Sequence, residues 1–433
     1  MAIVESYSGV RGIYGGELTK EIVRNYTVAF SKRKKKIVVG RDTRKSSKEM
    51  RHLIVNSAGI EVIDVGVAST PEIQLAVRLF GADGGIIITA SHNEPEYNGM
   101  KFLGKNGAII GKNEMEGLIK AAKVTGFPKK SKVVEKGISG EYVSFVRDIV
   151  GAFDRIRKKK FSVVIDPNGG TGIIAKKVLE SAGVNVTVIN GKPGAFRRKI
   201  EPTESSLKNL QRIVKNKKAD LGVGFDCDAD RAEMVLGNRF VSGHYVLALL
   251  VMAAARNGDT VVINDATSNV VREVAGKLGC GVLEAEVGEV NVISKMEAAK
   301  AAVGGEGSSG GGILFPSRCR DGTLTLMMIL KLMAENGKGL QEILGEMPKY
   351  YTVQAKTSIS SFNNGAFESL LKRKYGKVAS HGDSLKVVFK DSFLWFRASR
   401  TESGIIRVIA DARSENRAKV LIMEGLFLLQ SFK

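Results

Sequence analysis

A chain of 433 residues, 43% hydrophobic and 26% charged, has the balance of a globular protein and the length for about three or four domains. Its formal charge of +21 sits in scattered clusters (32–36, 155–160, 197–199, 215–218) without interleaved aromatics, which argues against a nucleic-acid partner and for a solvated surface that steers an anionic substrate. No apolar run approaches a membrane span, the N-terminus lacks a signal-peptide pattern, and the three widely spaced cysteines give neither a disulfide framework nor a zinc site, so the expectation is a cytoplasmic enzyme with no membrane partner.

The chain begins with Ser8-Gly9-Val10-Arg11-Gly12-Ile13-Tyr14-Gly15-Gly16, which reads as a flexible glycine-rich loop carrying one arginine. A helical stretch and a basic run lead to a strand over 37–40, then Arg41-Asp42-Thr43-Arg44 and a helical pattern resuming near Ser46 and Ser47. A strand over 62–65 is followed by Ser69-Thr70-Pro71-Glu72, a helix start with proline in its first turn. The apolar run 86–88 reads as a short buried strand that gives way to Thr89-Ala90-Ser91-His92-Asn93. This α/β alternation restarts at 161–166, with further strands over 184–189 and 219–225, and again at 260–264, with a helix from about Asn269 and a strand near 281–283. After Met347-Pro348 the rhythm changes to short strands (385–389, 393–396, 405–409) and a final helix. The expected architecture is three successive α/β domains with mixed sheets, residues 1–148, 149–245 and 246–348, plus a smaller C-terminal α+β domain over 349–433, around a central cleft.

Four stretches carry chemistry. Ser91 stands where a strand ends, with His92, Asn93 and Lys101 close behind, so it serves either as a nucleophile and phosphoryl carrier or as a plain helix N-cap. In Phe225-Asp226-Cys227-Asp228-Ala229-Asp230-Arg231, three carboxylates at i, i+2 and i+4 after a strand repel one another unless a cation sits among them. Oxygen ligands suit a hard ion such as Mg²⁺; the bland reading is a solvated acidic turn. The loop Gly304-Gly305-Glu306-Gly307-Ser308-Ser309-Gly310-Gly311-Gly312 fits a sugar's hydroxyls, or a flexible linker. Arg397-Ala398-Ser399-Arg400-Thr401-Glu402-Ser403-Gly404-Ile405-Ile406-Arg407 combines guanidinium, hydroxyl and turn N–H donors in a phosphate cradle.

Together these stretches resemble, in order and across essentially the whole chain, the α-D-phosphohexomutase superfamily: phosphoglucomutases, phosphomannomutases and phosphoglucosamine mutases. Arg41-Asp42-Thr43-Arg44, Glu201-Pro202-Thr203 and Arg320-Asp321-Gly322 fit as well, and the loop at Glu306 is most similar to the archaeal branch. Departures are Glu94 in place of the usual proline, Cys227 in place of glycine, Arg400 in place of Gly or Asn and Ser403 in place of proline; the sugar loop is one residue longer and lacks the Ser-Gly-His ending. The resemblance implies an isomerase that interconverts hexose 6-phosphate and hexose 1-phosphate through a phosphoserine at Ser91, with hexose 1,6-bisphosphate as intermediate and activator. It implies Mg²⁺ on Asp226, Asp228, Asp230 and a phosphoserine oxygen of Ser91, and Lys101 as general base or acid with His92 and Arg11 steadying the transferring group. Arg231 assists at that phosphate, Glu306 and Ser308 hold sugar hydroxyls, and Arg397, Ser399 and Thr401 anchor the other phosphate. The expected substrate is glucosamine phosphate, the alternatives being a bifunctional phosphomannomutase/phosphoglucomutase or a sugar-phosphate phosphatase, in a monomer or homodimer.

Overall fold

The computed structural model describes residues 3–124, 126–359, 362–399 and 404–432. Its first sheet runs in the order Val4–Ser6, Gly9–Ile13, Tyr97–Leu103, Gly85–Ile88, Lys36–Arg41, Glu61–Val67, Lys132–Glu135. The last four are mutually parallel, while Tyr97–Leu103 runs antiparallel to both of its neighbours. Gly85–Ile88 lies between Lys36–Arg41 and Tyr97–Leu103 and is buried at every position, which is why it reads as an unbroken apolar run. The expected helix start at 69–72 is present: Thr70–Leu79 begins with a reciprocal cap between Ser69 and Glu72, with Pro71 in the first turn.

The second sheet has the order Arg239–Val241, Ala232–Leu236, Leu221–Phe225, Ser162–Asp166, Asn185–Val188, and the third Gly281–Ala285, Thr260–Asn264, Val303–Gly305, Gly312–Leu314. One apolar core runs through the first three sheets. At its centre lie the helices Gly243–Ala254 and Gly322–Asn336, apolar on nearly all sides because other elements surround them. The fourth sheet, Tyr351–Ser358, Ile405–Ala412, Ser392–Ala398, Ser384–Val388, Val378–His381, is antiparallel throughout and has its own core with the helices Asn364–Tyr375 and Glu415–Gln430. Among the described residues no helix is long and apolar enough to cross a membrane.

Three local expectations change. The glycine-rich segment near the N-terminus contains a strand, Gly9–Ile13, paired on both sides, in place of a flexible loop. Gly9, at φ +113°, is needed there because a Cβ would come 2.2 Å from the carbonyl oxygen of Met100. Ser91 caps no helix: a turn and the antiparallel strand Tyr97–Leu103 follow it, so the bland alternative falls. The strand Tyr351–Ser358, unanticipated, is a polar edge whose residues are mostly half-exposed or exposed, so it lacks an apolar alternation to read.

Candidate active site

The loop after Gly85–Ile88 is held from below by a buried guanidinium. Arg44 donates to the carbonyl oxygens of Ser91 (2.8 Å), Asn93 (2.7 Å), Glu94 (2.7 Å) and Tyr97 (3.2 Å), and its Nε reaches Asp42 Oδ2 at 3.0 Å. Asp42 is fixed in turn by Ser47 Oγ and the Arg44 backbone N–H. This clamp keeps Ser91 in the left-handed region (φ +50°), where a non-glycine residue rests only if its surroundings over-determine it. The Ser91 hydroxyl is thereby aimed across to the second sheet, donating to Asp226 Oδ2 at 3.0 Å.

The aspartate loop follows the buried strand Leu221–Phe225. Ligand atoms of Asp226, Asp228 and Asp230 all lie within 4.8 Å of one another, and all three residues are buried. Two chains of contact reach them from the first sheet. Thr70 donates its N–H to the Asp228 carbonyl (2.9 Å) and its hydroxyl to Asp228 Oδ2 (2.7 Å). Lys101 on Tyr97–Leu103 donates to Asp228 Oδ2 at 2.7 Å and Asp230 Oδ2 at 3.2 Å. Burial, aided by Asp230 and Asp228, raises the Asp226 carboxyl well above its usual range. Burial acts the same way on Asp230, but Lys101, Arg320 and Arg231 outweigh it and hold that carboxyl below the usual range. Burial also disfavours the charged form of Lys101, yet Asp228 and Asp230 prevail and raise its pKa, so the ammonium is retained. The residues fit a hard cation: the Oδ1 atoms of Asp228 and Asp230 are buried without a hydrogen-bond partner among the described residues, and the donor set is oxygen alone.

Arg11, His92 and Arg231 border this centre. Arg11 donates to Ser8 Oγ and Asn93 Oδ1. Arg231 bonds Glu201 Oε1 at 2.7 Å, with its Nε 4.0 Å from both Asp226 and Asp230. The positive field of Arg231, together with burial and Arg11, pushes the His92 imidazole down to about 2, so it is neutral.

The sugar-loop candidate spans the gap between Val303–Gly305 and Gly312–Leu314. Glu306 Oε1 accepts from Asn264 Nδ2 (3.0 Å) and the Gly288 N–H (2.8 Å), and Gly307 N–H donates to Thr267 Oγ1. The linker reading does not describe a loop so tightly bound. Gly310 N–H donates to Glu233 Oε1 at 2.6 Å; burial of Glu233 pushes its carboxyl up to about 8. Arg320 bonds Glu289 Oε2 (2.8 Å), Ser309 Oγ (2.5 Å) and Asp230 Oδ2 (3.4 Å).

Ser308 lines two adjoining cavities. The smaller, about 280 Å³, also meets Arg231 and Glu201; the larger, about 420 Å³, meets Arg397 and Ser399 of the fourth sheet. Arg397 lies opposite Arg407, and Arg407 opposite Lys356, so three cations share one row on one face. Such a row is unfavourable unless anionic charge faces it; Glu286 Oε1 is 3.7 Å from Arg397 Nη2. Thr401, with Arg400, lies outside the described residues. The structure thus brings together Ser91, Lys101 and the three aspartates, with Arg11, His92 and Arg231 beside them, and sets Arg397 and Ser399 apart across Ser308. Arg44, Thr70, Lys356, Glu289 and the reach of Arg320 escaped the sequence reading. Arg44, Thr70 and Arg320 stood inside recognised stretches; Lys356 and Glu289 gave no local signal.

Comparison with known proteins accords with this layout. Models of the phosphoglucomutase/phosphomannomutase α/β/α domains I, II and III match residues 4–128, 140–239 and 242–351. A phosphoglucomutase/phosphomannomutase of Thermococcus kodakarensis is 35% identical, covering 98% of this chain and 97% of its own. A phosphoglucosamine/phosphogalactosamine mutase of Sulfurisphaera tokodaii is 34% identical, covering 96% of each. A crystal structure from Thermus thermophilus, named for phosphomannomutase, shares the fold with a TM-score of 0.84 at 24% identity, over 99% of both chains. A serine loop, an aspartate loop, a hydroxyl-lined loop and a cationic row, carried in order on four sheets, together with these matches, place the chain in the phosphoglucomutase/phosphomannomutase family of α-D-phosphohexomutases.

Proposed function

We propose that this phosphohexomutase moves a phosphoryl group between the 6- and 1-positions of a hexose by way of Ser91, with glucosamine phosphate as the preferred substrate. The observation that carries the reading is the Ser91 hydroxyl 3.0 Å from Asp226 inside a buried cluster that also holds Lys101, while a separate cationic row lies across Ser308. One centre serves transfer and the other anchorage, as a bisphosphate intermediate requires. The amino-sugar preference rests on the phosphoglucosamine mutases among the relatives; the phosphoglucomutase/phosphomannomutase relative marks the competing specificity.

In the forward half-reaction the P–O bond to Ser91 breaks as a sugar hydroxyl oxygen bonds to phosphorus, and the proton which that hydroxyl gives up ends, by way of an acid–base group, on the departing Ser91 Oγ. Mg²⁺ held by Asp226, Asp228, Asp230 and an oxygen of phosphorylated Ser91 would offset the charge on the moving group. Lys101 is the acid or base within reach. Asp228 and Asp230 keep its proton on, so it accepts a proton only when their charge is engaged elsewhere. Arg11 and Arg231 supply positive charge near the phosphoryl oxygens, and neutral His92 offers a hydrogen bond without adding to that charge. Glu306 and Ser308 hold hydroxyls of the ring. Arg397 and Ser399, with Thr401, retain the second phosphate until the bisphosphate turns over and returns its other phosphate to Ser91. Added hexose 1,6-bisphosphate would prime the enzyme by phosphorylating Ser91.

The test compares glucosamine-, glucose- and mannose-6-phosphate side by side, with mass analysis of the Ser91 peptide. Expected are hexose 1-phosphate as product, fastest with the amino sugar, phosphate on Ser91, and loss of most turnover in Ser91→Ala. Release of inorganic phosphate in place of isomerisation identifies a phosphatase, and a fully active Ser91→Ala ends the covalent reading.

A further inference from the structure

Arg320 is 6% exposed and stands directly before the helix Gly322–Asn336. Its neighbour Asp321 caps that helix, accepting from Leu324 N–H and from Tyr142, so the backbone under Arg320 is rigidly mounted. The guanidinium divides its donors between two loops and the first residue of the helix Glu289–Ala299. Nε goes to Glu289 Oε2 at 2.8 Å, Nη1 to Ser309 Oγ at 2.5 Å, and Nη2 to Asp230 Oδ2 at 3.4 Å; Nη1 also lies 3.9 Å from Glu306 Oε2. One planar group therefore touches the aspartate loop of the second sheet and both ends of the turn 306–309 in the third.

We propose that Arg320 is a positioning residue that fixes the sugar loop relative to the aspartate triad, so that Glu306 and Ser308 meet the hexose while its phosphate faces Ser91. This rests on the reading of the site given above. A fork of fixed geometry suits the task, because three acceptors in different directions are held at once; an ammonium on a flexible stem satisfies them one or two at a time. The competing account is that Arg320 only neutralises the buried Glu289 and Asp230. That account predicts a stability defect without a binding defect tied to Ser309.

Three variants separate the two: Arg320→Lys, Ser309→Ala, which removes the hydrogen bond to the loop and leaves the contacts with Glu289, Asp230 and Glu306 in place, and the double variant. The measurements are calorimetric affinity for glucosamine 6-phosphate, thermal midpoint, and turnover. Each single variant is expected to weaken affinity about ten-fold, with the Ser309→Ala midpoint within about 2 °C of wild type. The double variant should be no weaker than Arg320→Lys alone, since both changes remove the same contact. Wild-type affinity in Ser309→Ala, or additive losses in the double variant, overturns the proposal. Should Arg320→Lys not fold, Ser309→Ala decides alone. Wild-type protein that binds no hexose phosphate and turns none over removes the parent reading and this inference with it; wild-type activity alongside indifferent variants removes this inference only.

Discussion

Replacing Arg44 with methionine tests whether the serine loop owes its shape to one buried cation. The side chain and its partner Asp42 are both wholly buried, at 3.0 Å. Removing one partner of such a pair costs about 3–5 kcal/mol, because the remaining charge stays buried and uncompensated. Asp42 keeps Ser47 Oγ and one backbone N–H, which places the expectation toward the lower end. The four carbonyls of residues 91, 93, 94 and 97 lose their common donor as well. Against a total stability of about 5–15 kcal/mol this is a large fraction, equivalent to roughly 6–20 °C in the melting midpoint of the transition that includes the first sheet. Function should suffer further, since a misplacement of about 1 Å at a reacting group costs about 100-fold. Differential scanning calorimetry, amide exchange over residues 91–97 and mutase turnover measure the three effects. Arg44→Lys keeps a charge for Asp42 but not the fork, so it should recover the midpoint better than the turnover. An Arg44→Met protein that melts within about 2 °C of wild type, with unchanged exchange and turnover, refutes the clamp.

Asp228→Asn removes one negative ligand from the triad and should lower turnover by about two orders of magnitude, with chelator abolishing wild-type activity; full activity in excess chelator excludes a catalytic metal there. Arg397→Lys would replace the proposed bidentate phosphate grip with a point charge, so the apparent KM should rise about ten-fold and more bisphosphate should escape into solution, as product analysis would reveal. Glu233 has its carboxyl pushed up by burial from 4.5 to about 8, so the folded state holds a proton that the unfolded state releases, and stability falls as pH rises between those values. Glu233→Gln, which keeps an acceptor for Gly310, should therefore match wild type near pH 5 and gain over it progressively up to pH 8, by about 3–5 kcal/mol at most. A melting difference that does not change with pH contradicts this.

Much of this was legible because local signals agreed with the fold. The short apolar stretches that mark Gly85–Ile88 and Leu221–Phe225 as buried strands also locate the two loops after them, and three carboxylates at alternate positions announce their own electrostatic problem. The cap at Ser69 and Glu72 was readable for the same reason: its hydrogen bonds close within four residues. What stayed hidden is long-range. Arg44 stands 47 residues from Ser91 in the chain, and nothing local tells that its guanidinium faces that loop and not solvent. The strand Gly9–Ile13 looked like a loop because Gly9 is there for close approach to Met100, which only tertiary structure reveals. The cationic row Lys356, Arg407, Arg397 depends on strand register, which the polar edge Tyr351–Ser358 does not advertise.

The partners of the aspartate triad are made at different times. Thr70 and Lys101 precede Asp228 by 158 and 127 residues, and Arg320 follows Asp230 by 90. During synthesis the three carboxylates therefore emerge after the lysine that offsets two of them but well before the arginine, and domains generally fold as the chain appears. A segment excised around residues 162–241 would carry the motif intact yet lack every one of those partners, leaving like charges to push the loop open. The cation affinity proposed for the triad would then be a property of the assembled molecule. Grafting the motif alone onto another scaffold would transfer the repulsion without the site.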